Sequence, residues 1–385
     1  MLKEKQDSDL MNDLLEEKLA SRIDYKERHE VDKILKKAHF NWQPLAIDTR
    51  EAAAAYALSR QASGAFMLAP NYAELARVLD EFEGHDFSPV SVLDYGCGVG
   101  SGFWAVNERF GLKVKEFCMV DPSIMLCQLA MDVMRDKNGV LPSSINCRRH
   151  LVPSLQTKYD LVIAHRTLCE IGSQESRLET VASLWKRTKR FLVLIDSGTK
   201  DSFDALMEAR DFLLISGSQL HLEETSELLK VPSEIELPTA LPSATVYAPC
   251  PHDLGCPKLR ISTCTIPVRW RVIRADGKRS RYERSGTETG NISFVILEKG
   301  QRTPDDAVTR ILKIRQSNGH VTCDVCTAFQ GIQRLTVSKR AGVLYQRART
   351  RKDGELFPLD MKPIATEDVF NVFTDGQVID QEDKS

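Results

Sequence analysis

No stretch of this sequence approaches the ~18–20 consecutive apolar residues needed to cross a bilayer. The longest apolar runs, such as that between Arg190 and Asp196, have only the length of a strand, so no membrane-spanning anchor is expected. A charge excess of one sign is also missing. With 52 Lys and Arg against 54 Asp and Glu, the net charge is −2, and the chain as a whole is not a basic nucleic-acid binder. No secretory signal is readable, and the first 36 residues, with eight bases and ten acids, do not form an acid-poor, Arg- and Ser-rich presequence. The ten cysteines are therefore expected in a reducing compartment, as metal ligands or small core residues rather than in disulfides. A hydrophobic share of 42% excludes global disorder, and 385 residues suit two domains.

Charge, by contrast, is unevenly placed. Residues 258–284 hold nine Lys and Arg against two acids, and 309–352 hold ten against one. Residues 353–385 hold two against nine. A basic C-terminal half followed by an acidic tail points to a polyanionic partner.

Four zones follow along the chain. Residues 1–86 read as an N-terminal helical region, with Tyr72, Leu75, Ala76, Leu79 and Phe82 at helical spacing and an Ala-rich stretch from Glu51 to Leu58. Residues 87–236 alternate short apolar runs (89–95, 116–120, 161–164, 191–195) with helical segments (124–135, 177–187), the pattern of a parallel doubly wound α/β sheet. Residues 237–352 begin with a Pro- and Cys-rich stretch, to 270, read as irregular and metal-ordered. They continue as short alternating runs with Gly-containing turns, which fits a small β-rich, OB-like domain. Residues 353–385 form the acidic tail.

The chemistry concentrates in two places. The first is an apolar strand running into Asp94-Tyr95-Gly96-Cys97-Gly98-Val99-Gly100, with Asp121 at the end of the next apolar run. Glycines permit positive φ and close backbone approach, and a strand-end carboxylate can accept both hydroxyls of a ribose. No Lys-Ser/Thr follows the loop, which disfavours a P-loop. The pattern is similar to the nucleoside-binding loop of class I S-adenosylmethionine methyltransferases, and it assigns Asp94, Gly96, Gly98, Gly100 and Asp121 to cofactor binding. The fourth strand segment ends in Ala164-His165-Arg166 and lacks the (D/N)PP(Y/F) box of exocyclic amine methylation, so no catalytic residue is assigned. His165 reads either as a general base or as a satisfied rim residue. Arg148-Arg149-His150 stands where an acid often contacts adenine.

The second place is Cys250, Cys256 and Cys264, spaced C-x5-C-x7-C with prolines after the first two thiols, together with Cys323 and Cys326. Wide, Pro-interrupted spacing suits an iron–sulfur cluster on four thiolates, with zinc as the alternative. The compact C-x3-C-x2-C loop of radical S-adenosylmethionine enzymes is absent. Cys97, Cys118, Cys127, Cys147 and Cys169 read as small buried hydrophobes.

Taken together, Glu51 to Tyr56, the glycine loop, Asp160 to His165, Leu194 to Thr199, Cys250 to Pro257, Asp324 to Cys326 and Tyr345 to Arg349 resemble the methyltransferase-like protein 17 family of mitochondrial small-ribosomal-subunit assembly factors, with its bacterial and yeast relatives. The resemblance implies a class I methyltransferase-like domain whose activity is either retained or vestigial, with S-adenosylmethionine as its possible cofactor. It also implies a [4Fe-4S] cluster on Cys250, Cys256, Cys264 and Cys326, with Cys323 as rival for the fourth ligand. Binding to small-subunit rRNA on an assembly intermediate in the mitochondrial matrix follows from it as well. In that reading Arg269, Arg271, Arg274, Lys278, Arg279, Arg281, Arg334, Lys339, Arg340, Arg347, Arg349 and Arg351 line phosphates, while Trp270, Tyr282 and Tyr345 stack on bases.

Overall fold

The structure, a computed structural model, describes residues 47–54, 70–217, 241–271, 287–302, 308–328 and 331–358. The acidic tail beyond 358 and most of the N-terminal zone lie outside these. The chain divides into two compact units, Met1–Pro249 with Lys258–Gln301, and Cys250–Pro257 with Arg302–Ser385.

In the first unit, β1 (Ser91–Tyr95), α2 (Ser101–Phe110), β2 (Glu116–Val120), α3 (Ile124–Met134), β3 (Ser144–Arg148), β4 (Tyr159–His165), α4 (Gln174–Arg187), β5 (Thr188–Ser197) and α5 (Lys200–Gly217) follow α1 (Pro70–Leu79). The sheet runs β3-β2-β1-β4-β5-β8-β6, with β1 to β5 parallel, β6 being Ala244–Ala248 and β8 Thr287–Lys299. The order reverses between β1 and β4, and at such a switch point the loops beyond the strand ends open a ligand crevice. The expected doubly wound sheet is thus present, with strands where the apolar runs predict them.

Its far edge was not foreseen. Ile292 to Leu297 of β8 are almost fully buried, and β8 lies antiparallel beside β5. A continuous apolar run of this kind belongs in a strand covered on both faces, not in a small half-solvated sheet. The outer edge of β8 is shared by β7 (Ile266–Arg271) along its first half and β6 along its second. Both strands fall within the stretch read as irregular. Pro267 is tolerated because, among the described residues, β7 pairs on one side only. The structure therefore divides residues 237–352 between the two units.

The core fills with Val92, Phe117, Met119, Leu161, Ile163, Phe191 and Val193, all essentially without exposure. Each contributes roughly 1.5–3 kcal/mol relative to leaving it in water. Helix α1 buries Tyr72, Leu75, Val78 and Leu79, as its periodicity predicts. Phe82, just beyond it, stacks on Tyr247 of β6 at 5.3 Å, and the Tyr247 hydroxyl donates to the Glu81 carbonyl at 3.0 Å. The 50–54 helical turn is held by Ser123, whose hydroxyl donates to the Ile47 carbonyl while capping α3.

In the second unit, β9 (Arg310–Ser317), β10 (His320–Thr327) and β11 (Gly331–Ser338) form an antiparallel sheet with β10 central. Helix α6 (Val343–Thr350) covers one face, burying Tyr345 and Ala348 against Ile311, Val321, Cys323, Val325 and Val337. Among the described residues this is an open three-stranded sheet under one helix, where an OB-like barrel was expected. The long apolar strand that such a barrel would have used belongs instead to the first unit.

Candidate nucleoside pocket and cysteine loop

At the switch point the chain leaves β1 through three glycines in the left-handed region, Gly96, Gly98 and Gly100, at φ +76°, +53° and +81°. A side chain on Gly96 would collide with the Thr167 side chain and one on Gly102 with the Asp94 carboxylate, so close approach demands glycine at both, and at Gly96 the positive φ demands it as well. The turn is pinned to β2: Gly96 N–H donates to the Val120 carbonyl at 2.7 Å. Asp121 completes it, one carboxylate oxygen accepting from Gly98 N–H and the other from Ser123 N–H, each at 2.9 Å. All five residues assigned to cofactor binding thus meet at one strand-end turn.

Asp94 is the unusual member. It is 2% exposed, and its Oδ2 has no hydrogen-bond partner among the described residues. Burial, reinforced by the nearby Asp121 charge, raises its pKa to about 7. Burial likewise raises Asp121, against its two backbone hydrogen bonds. An unpartnered buried acceptor beside an acid with lone pairs to spare fits a ligand rich in hydroxyl and amine donors, as a nucleoside is.

At the end of β4 the sequence reading missed a partner. Glu74 of α1, 1% exposed, accepts from His165 Nε2 at 2.8 Å and from Arg166 through two nitrogens at 2.8 and 2.6 Å. Burial alone would raise the Glu74 carboxyl, but the hydrogen bonds from Arg166 and His165 outweigh it and hold it at about 2. Arg166 takes a left-handed φ of +54°, which its bidentate pair overrides. His165 is therefore the satisfied residue of the two readings.

The structure joins Cys127 to Cys147 in a disulfide and brings Cys97 beside them, correcting the expectation of unlinked small hydrophobes. The chain separation of 20 residues gave no signal, because only the α3 crossover brings β3 next to α3.

In the second unit, Cys250 and Cys256 lie on a loop that Arg302 clamps, donating to the Pro251 carbonyl at 3.1 Å and the Cys250 carbonyl at 3.4 Å and pairing with Asp253. His252 from this loop meets Cys326, Nε2 to Sγ 3.5 Å. Its Nδ1 lies 3.1 Å from the Leu254 carbonyl, which only accepts, so Nδ1 carries a proton. Cys323 points the other way, into the core under α6. Cys264 belongs to the first unit. None of Cys250, Cys256, Cys264 and Cys326 is in a disulfide. His252 was quoted in the motif without a role, and only its position against Cys326 gives it one.

The basic residues separate into placed and unplaced ones. Arg334, Lys339, Arg340, Arg347, Arg349 and Arg351 are exposed on the second unit and Arg269 on the first, while 272–286, with Arg274 to Tyr282, lie outside the described residues. Tyr345 is buried in the second unit's core and cannot stack on a base, a correction that helical spacing with Ala348 explains. On the sheet face away from α6, Asp324 pairs with both Arg315 and Arg334.

Residues 50–358 match the family described as mitochondrial small ribosomal subunit Rsm22. The chain belongs to the Rsm22 family. It is 28% identical over 347 residues to human ribosome assembly protein METTL17, mitochondrial, covering 88% of this chain and 69% of that protein. It is 27% identical over 340 residues to Rsm22-cox11 tandem protein 2, mitochondrial, of Schizosaccharomyces pombe, spanning 77% of this chain but only 42% of that one. Among solved structures, magnesium protoporphyrin IX methyltransferase (ChlM) of Synechocystis PCC 6803 with bound SAH aligns at TM-score 0.33 and 14% identity, over 60% of this chain and 83% of that one.

Proposed function

We propose that this Rsm22-family protein is an assembly factor of the mitochondrial small ribosomal subunit, acting in the matrix and binding small-subunit rRNA through the exposed cations of its second unit. The family match over residues 50–358 carries this reading, and the names of the human and fission-yeast relatives agree with it. Lys339, Arg340, Arg347, Arg349 and Arg351 fall on α6, the turn before it and the residue that ends it, so their charge is concentrated where a phosphate backbone can follow it.

The reading includes a [4Fe-4S] cluster on Cys250, Cys256, Cys264 and Cys326, with zinc as the alternative ion. The unlinked thiols, the Arg302 clamp and the placement of Cys326 against the loop that carries Cys250 and Cys256 support it, and Cys323 is the weaker candidate because it packs among Val321 and Val325. When bound, such a cluster supplies a rigid inorganic crosslink, whose free energy is then folding free energy. The protein's part is to supply the thiolates and to fix the loop backbone through Arg302.

A second reading, an active S-adenosylmethionine-dependent rRNA methyltransferase with a structural metal site, is favoured by the unpartnered Asp94 beside an intact ribose acid. Against it, His165 is committed to Glu74. Fractionation of mitochondrial lysate with in vivo RNA crosslinking tests the first reading. Association with small-subunit precursors and crosslinks to their rRNA are expected, and crosslinks confined to other RNAs would overturn it. Methyl transfer to isolated small-subunit rRNA, lost on Asp121→Ala, would establish the second.

A further inference from the structure

The three sulfurs of Cys97, Cys127 and Cys147 all lie within 4.8 Å of one another beneath the glycine loop. Each belongs to an element that holds Asp121. Cys97 precedes Gly98, whose N–H donates to the Asp121 carboxylate. Cys147 precedes Arg148, whose carbonyl accepts the Asp121 N–H at 3.0 Å. Cys127 lies in the first turn of α3, its Sγ 3.9 Å from the Asp121 carbonyl and its N–H bonded to the carbonyl of Ser123, which also donates its own N–H to Asp121. The disulfide thus ties β3 to α3 on both sides of this acid.

We propose that Cys127 and Cys147 form a reversible, redox-sensitive disulfide that fixes the Asp121 turn, so that the thiol poise of the compartment sets the geometry of the pocket above it. The chemistry requires only a low-molecular-weight disulfide such as oxidised glutathione. Cys147, half-buried on the edge strand β3, is the sulfur that solvent species reach first. Its thiolate attacks one sulfur of oxidised glutathione, forming a mixed disulfide and releasing one glutathione thiolate. The Cys127 thiolate then attacks the Cys147 sulfur and releases the second. The protons lost by the two cysteines are taken up by the two glutathiones, so two protein thiols are oxidised and one glutathione disulfide is reduced. Cys97 stays outside the exchange, because burial and the neighbouring Asp94 and Asp121 push its thiol well above the ordinary value.

The effect on ligand affinity rests on the nucleoside reading of the pocket, whereas the disulfide and its hold on Asp121 do not. The full-length protein is equilibrated anaerobically across glutathione buffers of graded poise and acid-quenched. Its cysteines are then mapped by differential alkylation, while hydrogen exchange is followed over residues 121–127 and 144–148. Expected is a Cys127–Cys147 pair that appears and vanishes reversibly, with slower exchange in both segments when it is present and S-adenosylhomocysteine affinity changing by about fivefold or more between the states. Cys147→Ser, and separately Cys127→Ala, should remove the redox dependence of exchange while Cys97→Ser retains it. Free thiols at both positions under every poise, exchange indifferent to the pair, or one zinc held by the reduced trio would overturn the proposal. Redox-dependent exchange without S-adenosylhomocysteine binding in either state would uphold the disulfide device and reject only the nucleoside reading.

Discussion

Glu74 and Arg166, 92 residues apart in sequence, form a bidentate ion pair with Glu74 at 1% exposure, and His165 donates to the same carboxylate. The pair locks α1 onto the end of β4. Breaking a buried pair by removing one partner leaves an uncompensated charge. Glu74→Gln should therefore destabilise the protein by roughly 3–5 kcal/mol, read as a lower denaturant midpoint.

The same carboxyl predicts an acid response. Its folded pKa of about 2 lies below its ordinary value of 4.5, so its stabilisation is fully present above 4.5 and drains away as pH falls toward 2. Wild type should lose stability over that interval more steeply than Glu74→Gln, as urea titrations at a series of pH values will show.

Asp94 has the opposite sign. Burial and Asp121 raise it to about 7 from 3.8, so the folded state holds a proton that the unfolded state releases. Stability should fall as pH rises from 3.8 to about 7 and level off above that. Asp94→Asn should flatten this slope in differential scanning calorimetry. A slope that survives the substitution would assign it to another group.

Anaerobic purification should give coloured protein with iron and sulfide in equal amounts, and Cys256→Ser or Cys326→Ser should bleach it. Arg302→Ala removes no thiol but frees the backbone at Cys250 and Pro251, so it should lower cluster occupancy without abolishing it. Colourless wild-type protein carrying one zinc would reject the cluster in favour of its alternative.

Replacing Arg347, Arg349 and Arg351 together with Ala should weaken RNA binding across sequences. It should also reduce the salt slope by about 2, as expected for losing about three phosphate contacts to single-stranded RNA. A change in sequence preference with no change in slope would mean that these cations do not meet phosphate.

What the sequence made legible followed the physics of burial. Strands β1, β2, β4 and β5 are apolar because both faces of the sheet are covered, and so their runs stand out. The glycine loop was readable because positive φ and close approach leave no other residue. Strand β8 carried the same signal in Phe294 to Leu297, yet its nearness in sequence to the basic stretch drew it toward the wrong unit. Tyr345 was misread by composition, since an aromatic among arginines suggests stacking until the Tyr345–Ala348 spacing is seen as a helix face. Glu74, His252 and the Cys127–Cys147 pair left no local trace, because their partners arrive only through tertiary packing.

The chain passes from one unit to the other after Pro249, returns at Lys258 and leaves again after Gln301. A fragment ending at residue 249 would omit β8, stripping β5 of its antiparallel neighbour and baring a long hydrophobic rim to self-association. A cut at the first crossing therefore cannot excise the Rossmann-like half, and any attempt to express it separately must carry residues 258–301 along.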